Sequence, residues 1–198
     1  MKKLEFDIIL EKRKTILDKR KNELDDLKSI LKISEPIEFT VSEIANSVKA
    51  RKKGEKVGVS TLNFLEEVKG AVVYVYEIVN SEIKQDLLKK LSAYRSKENK
   101  DEAGIDLRRS TAKIPNTAKD NDTNILYVGS VKGCIHSRTR QHLGLGHPHT
   151  FSLQLKHWAS QNWKFRFYYL KIENKEITTD IEAALSVELN PLIGKREK

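Results

Sequence analysis

The chain has 198 residues, 37 Lys and Arg against 28 Asp and Glu, and a formal net charge of +9. Hydrophobic residues make up 38%, a little below the share in an ordinary globular chain, and nowhere form the run of about 18 that a membrane span needs. The single cysteine, Cys134, excludes a disulfide framework and any multi-cysteine zinc site.

The opening segment, MKKLEFDIILEKRK, interrupts its short apolar stretch with charges. A secretory signal needs a longer charge-free core, so a cytoplasmic location is the expectation. Residues 3–33 read as a long charged helix in which Leu10, Leu17, Leu24 and Leu31 recur every seven residues. Lys14 and Lys21 weaken that seam, while Leu27 and Ile30 strengthen it. An arm or short coiled coil fits the pattern, and so does a solvated helix packed on its own domain. Pro36 marks a break. Thr40-Val-Ser-Glu43 is a capping-box pattern that opens a helix from Ser42 to about Ala50. A basic turn, Lys49 to Lys56, leads to TLNFLEEVKG, a helix capped by Ser60 or Thr61 and ending near Gly70. The turn is too long for a usual helix-turn-helix, and a basic solvated loop is the plainer reading.

Residues 71–78, AVVYVYEI, are rich in β-branched and aromatic side chains and predict a buried strand. Ile83, Leu87, Leu88, Leu91 and Tyr94 have helical spacing within 81–96. The polar stretch 97–123 predicts a mobile loop or insertion. ILYVGS, 125–130, is a second strand, 135–143 a helix, and GLGHPHT a turn. FSLQLKHWAS, 151–160, reads as a helix with Leu153, Leu155 and Trp158. FRFYYLKI, 165–172, is a third strand, and Thr179 to Leu189 a last helix stopped by Pro191. The expected fold class is α/β: a small three-stranded, mostly antiparallel sheet flanked by helices. Residues 1–69 form an N-terminal helical arm and basic turn region, and 70–198 a second domain with an insertion at about 79–123.

Charge is unevenly distributed. From Asn124 to Ile172 there are seven Lys or Arg residues, all five histidines, and no Asp or Glu. A segment free of carboxylates suits a surface that meets phosphates, because each carboxylate would repel them. Chance clustering is the competing explanation, since acids are enriched elsewhere.

Four separated pieces fall within this order of elements. They are Val72-Val73-Tyr74, Tyr127-Val128-Gly129-Ser130, Arg138 with His142 as R-x-x-x-H on a helix, and Glu182 nine residues before Pro191. Together they resemble the GIY-YIG nuclease family over roughly 70–195. Three departures stand out. Tyr74 and Tyr127 are 53 residues apart, whereas the family keeps its two tyrosines close. The first tripeptide lacks its glycine, and Tyr76, on the same strand face, could replace Tyr74. The family's late asparagine falls at Gly194.

The resemblance implies a DNA endonuclease dependent on Mg²⁺ or another divalent cation such as Mn²⁺. It would act on double-stranded DNA, a homodimer being suited to cut both strands, and leave a 5′ phosphate and a 3′ hydroxyl. Restriction, repair and mobile-element roles all fit. The site would comprise Tyr74, Tyr127, Arg138, His142 and Glu182. Arg138 offers a planar fork to two phosphate oxygens, or is simply a surface arginine. His142, four residues on, shares its helix face and could relay a proton or hold a phenol. Glu182 would be the metal ligand, because Mg²⁺ often uses one protein carboxylate and keeps its waters. As the fourth residue of Thr179-Asp-Ile-Glu182 it also fits a helix cap. Tyr74 would act as general base or position the attacking water, with basic surroundings favouring its phenolate. Tyr127 would bond the same phosphate or water. Gly129 would let the backbone approach the substrate. Lys132, Arg140, His147, His149 and Lys156 would contact nucleic acid. A zinc site from Cys134, His147 and His149 fits no common spacing. Two other classes stay open: a catalytically silent nucleic-acid-binding module on the same scaffold, and a coiled-coil interaction protein.

Overall fold

The computed structural model describes residues 11–19, 21–22, 33–51, 62, 65–96, 111–116, 118, 121–147 and 149–194, the side chains of 47–51 and 96 excepted. Two compact units divide the chain, Met1–Ile33 and Ser34–Lys198. In the first, residues 11–19 and 21–22 are helical and Leu17 is exposed. Leu10, Leu24 and Leu31 lie outside the described residues, and with them most of the heptad seam.

The second unit is α/β, built on a four-stranded antiparallel sheet in the order β1-β4-β2-β3. Its strands are β1 (Ile37–Thr40), β2 (Ala71–Ile78), β3 (Ile125–Val131) and β4 (Lys164–Ile172). Its helices are α1 (Val41–Arg51), α2 (Lys84–Ser96), α3 (Ile135–Leu143) and α4 (Thr178–Leu189). The expected three strands thus become four. β1 was not legible because it has four residues, begins straight after Pro36 and runs directly into a helix cap. Proline suits the start of an edge strand, where its missing N–H breaks no ladder. Residues 34–69, read with the arm, therefore supply β1 and α1 to the unit that holds the sheet. The capping box itself is present: Thr40 N–H donates to Glu43 Oε2 at 2.6 Å, and Glu43 N–H to Thr40 Oγ1 at 3.4 Å.

β2 lies between β4 and β3, and every residue of it is buried except half-buried Glu77. A strand covered on both faces reads as a near-continuous apolar run, as AVVYVYEI does apart from Glu77. Val72, Tyr74, Tyr76 and Ile78 point into the main core with Phe39, Phe165 and Phe167. Alternation sends Ala71, Val73 and Val75 to the opposite face, and α4 packs on β2 and β3.

Two further expectations need correction. Residues 151–160 are not a helix: only Leu155–His157 make a 3₁₀ turn, and the buried Gln154 adopts a left-handed φ of 54°. Ser152 to Leu155 are all buried, and the segment dives into the core to bring backbone groups against α3. The end of the expected loop 97–123 is also tied down. Thr111 pairs with Ser152, Ala118 is fully buried, and Thr123 Oγ1 donates to Leu189 O at 3.0 Å. Residues 97–110 lie outside the described residues. Of the helix expected at 61–70, the described Leu65 and Glu66 are 3₁₀, and Leu62 and Leu65 are buried.

Because Phe39 is 2% exposed in the central aromatic cluster, Phe39→Ala is expected to destabilise the protein by about 3–5 kcal/mol in urea unfolding. An unchanged midpoint would mean that β1 is not part of the folded sheet.

Candidate active site

The site forms where the edge strand β3 lies between α3 and α4. Tyr127 pairs with Tyr76 and Gly129 with Tyr74, so Tyr127 shares the face of the two β2 tyrosines. Val128 and Ser130 point to the other face. Residues 192–193 cover only the start of β3, where Leu192 N–H donates to Ile125 O at 2.9 Å and Ile193 N–H to Leu126 O at 3.0 Å. A cavity of about 500 Å³ lies along the rest, lined among others by Tyr127, Val128, Arg138, Glu182 and Gly194. Because an edge strand exposes its side, groups from both faces of the sheet reach this one cavity.

α3 carries Arg138 and His142. Cys134 caps it, its Sγ accepting Ser137 N–H at 3.4 Å, and Gly144 ends it at a left-handed φ of 86°. His142 is fully buried, with its ring near those of Tyr74, Tyr76 and Tyr127. Leu153 N–H donates to His142 Nδ1 at 3.1 Å, so Nδ1 carries no proton. The neutral ring then holds its proton on Nε2 and donates it to the Tyr74 hydroxyl at 2.8 Å. Arg138 Nε–H donates to the same oxygen at 3.1 Å. The two remaining guanidinium nitrogens donate to Gln141 Oε1 at 2.9 Å and Phe151 O at 3.1 Å. These bonds use three of the five N–H groups of an arginine, and the guanidinium also interacts with the Tyr127 hydroxyl.

The phenols do not behave as expected. Burial pushes the Tyr74 pKa well above its ordinary value, and Arg138 offsets this only in part. Tyr127 is raised for the same reason, again against the pull of Arg138. The basic surroundings therefore do not produce a phenolate in the protein alone. Tyr76 is fully buried with its hydroxyl near Thr139, and among the described residues it makes no hydrogen bond to His142 or Arg138. Tyr74, which meets both His142 and Arg138, is thus the strand tyrosine joined to the site. Tyr127 lines the cavity, and Tyr74 lies at 1% exposure.

Glu182 does not cap its helix. The residue before α4 is Ile177, which makes no side-chain cap, and Glu182 Oε2 instead accepts the Ser130 hydroxyl at 2.5 Å. Among the described residues no three His, Cys, Asp or Glu side chains cluster to hold an ion. Glu182 stands as one carboxylate on the cavity wall, a donor set that fits Mg²⁺ only with waters or phosphate oxygens completing it.

Gly129 also serves the packing. A Cβ there would lie 2.6 Å from the Tyr127 ring and 2.7 Å from the Tyr74 hydroxyl. Its missing side chain makes room for the tyrosines. Gly194 has φ +125°, a conformation that disfavours the family's asparagine, and its N–H donates to Lys113 O at 2.8 Å.

Tyr74, Tyr127, Arg138, His142 and Glu182 are thus brought to one place. The expected nucleic-acid contacts do not line the cavity. Lys132, His147 and His149 are exposed, Arg140 and Lys156 half-buried. His147 and His149 face each other, and His149 N–H donates to His147 Nδ1 at 3.3 Å. Sequence reasoning missed Ser130, Gln141, Phe151 and Lys113. Ser130 was visible within the second tripeptide motif and Gln141 lies three residues from Arg138 on the same helix, whereas Phe151 and Lys113 depend on tertiary contacts. No protein-family model, curated protein or solved structure matches the chain.

Burial, and then the nearby Arg138 charge, hold the His142 pKa well below its ordinary value of about 6.5. Below that value the unfolded chain takes up a proton that the folded one refuses. Stability is therefore full above about pH 6.5 and falls as pH drops, by up to ~1.4 kcal/mol per unit for one such group. Unfolding measured from pH 7.5 to 5.5 is expected to show this loss, with His142 remaining the Nε2–H tautomer by ¹⁵N NMR. A doubly protonated His142 in the folded protein at pH 5.5 would contradict the assignment.

Proposed function

We propose that the chain is a divalent-metal-dependent DNA endonuclease of the GIY-YIG type that hydrolyses phosphodiester bonds. The observation carrying this reading is convergence. Tyr127, Arg138 and Glu182 line one cavity, and the buried Tyr74 and His142 lie behind it, with Tyr74 bonded to both Arg138 and His142.

Phosphodiester hydrolysis needs a clamp on the phosphoryl oxygens, a positioned water and relief of charge at the leaving oxygen. Arg138 is the clamp. Bonds to Tyr74, Gln141 and Phe151 fix its guanidinium at the cavity wall beside the Tyr127 hydroxyl, and its planar fork suits phosphate oxygens. Its orientation is set in advance, so little order is lost when phosphate binds. Tyr127, at the cavity wall, meets the attacking water or the phosphate. Tyr74 lies behind it, fixing the Nε edge of Arg138. Its oxygen already accepts two N–H bonds, so a charge arriving in the cavity finds a phenol prepared to become more acidic. His142 holds the phenol in place, since its Nε2 already bears a proton and has no capacity to take another from Tyr74. Glu182, oriented by Ser130, would hold the metal. When bound, Mg²⁺ would neutralise charge on the phosphate and stabilise the departing oxygen.

Supercoiled plasmid is expected to be nicked in the presence of Mg²⁺ or Mn²⁺, with 5′ phosphate ends. Glu182→Ala is expected to lose cutting by about a hundredfold or more while keeping DNA binding, and Arg138→Ala to lose turnover by more than binding. Tight, salt-sensitive DNA binding by the wild type without any cutting would instead identify a silent binding module.

A further inference from the structure

Two residues on the cavity have no part in the chemistry above. Phe151 is 69% exposed yet lines the cavity, and Lys113 lines it too. A single exposed phenylalanine is ordinary on a protein surface. This one is held differently. Its carbonyl is gripped by Arg138 at 3.1 Å. The next residue, Ser152, is fully buried, and its hydroxyl donates to Gln141 O at 2.9 Å. Lys113 is fixed by the same framework. Thr111 pairs with Ser152 in a parallel bridge, and Ala112 N–H donates to Ser152 O at 3.1 Å. Arg95 donates to Thr111 O at 3.0 Å and Ala112 O at 2.6 Å. Gly194 N–H then holds the Lys113 carbonyl, while the Lys113 ammonium has no partner among the described residues. The two segments therefore run side by side and present a flat apolar ring and a lysine on fixed backbone next to Arg138.

We propose that Phe151 is the nucleobase contact beside the scissile phosphate and that Lys113 takes a neighbouring phosphate; this rests on the nuclease reading above. A ring and an ammonium together match a nucleotide, which has a π-face and an anionic group one bond path apart. An apolar peptide would need the ring but not the cation. In duplex DNA the contact requires the ring to enter a base step or to meet an unstacked base at the cut. The insertion between the two tyrosine motifs thus supplies Lys113 to substrate binding, and is more than a spacer.

The test uses the full chain carrying Glu182→Ala, which binds without cutting, and a fluorescent duplex spanning the mapped cleavage position. Affinity is measured by anisotropy across a KCl series. Adding Phe151→Ala is expected to weaken binding about tenfold at every salt concentration with an unchanged salt slope, and Phe151→Trp to restore it where Phe151→Leu does not. Adding Lys113→Ala is expected to lower the slope by about one phosphate contact. A 2-aminopurine next to the cut is expected to change its fluorescence on binding only when the ring is present. Because Phe151 is exposed, its variants should melt at the parent temperature. Unchanged affinity in Phe151→Ala, or full rescue by Phe151→Leu, would overturn the base contact while leaving wild-type cutting intact. An unchanged slope in Lys113→Ala would overturn the phosphate contact. Failure of the Glu182→Ala chain to bind the duplex at all, together with no cutting by the wild type, would overturn both readings.

Discussion

The site depends on one buried hydrogen bond, from Leu153 N–H to His142 Nδ1. It decides which ring nitrogen carries the proton, and so which way every later bond in the chain points. Nε2–H must donate to Tyr74, whose oxygen then accepts from both His142 and Arg138. Reverse the tautomer and two donors would face each other at Leu153. In a region where His142 and Tyr74 are almost wholly removed from water, such a mismatch costs the desolvation of both groups. The fold avoids it by giving up a regular helix at 151–160. The segment instead bends through the left-handed Gln154 and delivers its backbone to α3.

Sheet order then determines what the site can contain. In the middle of the sheet, α3 and α4 would be separated by the full thickness of paired strands. β3 lies at the edge, covered only at its start by residues 192–193. Tyr127 from one face and Ser130 from the other therefore flank one opening. Arg138 and Glu182, on helices that pack against opposite faces, share it as a result. The arrangement puts a guanidinium and a carboxylate on the wall of one cavity. Gly129 is part of the same economy of space, since any side chain there would strike the Tyr74 and Tyr127 rings.

The electrostatics correct a natural assumption. A basic segment suggests that its tyrosines ionise easily, yet burial outweighs the single nearby guanidinium for both Tyr74 and Tyr127. The charge count of 124–172 describes what approaches the surface. It does not describe the protonation of groups already withdrawn from solvent.

Strong local signals were readable in the chain. β2 announced itself by the apolar run of 71–76, α3 by its bounded amphipathic stretch, and the cap of α1 by the spacing of Thr40 and Glu43. The five candidate site residues were also legible, because their types and order are a one-dimensional pattern. Other features had no local signal. The four residues of β1 become a strand only by pairing with β4, and Leu153, Leu155 and Trp158 mimic helical spacing while serving a non-helical descent. Lys113 and Phe151 look like loop residues until Thr111 and Ser152 bring their segments together. The sequence by itself determined the α/β class, the central strand and the identity of the charged and aromatic groups, because short-range periodicity and residue chemistry suffice for those. Only the tertiary structure decided the fourth strand, the tautomer of His142, the bonding of Tyr74 to His142 and Arg138, and the release of Glu182 from a capping role. Each of these turns on a partner more than ten residues away, and no local pattern encodes such a contact.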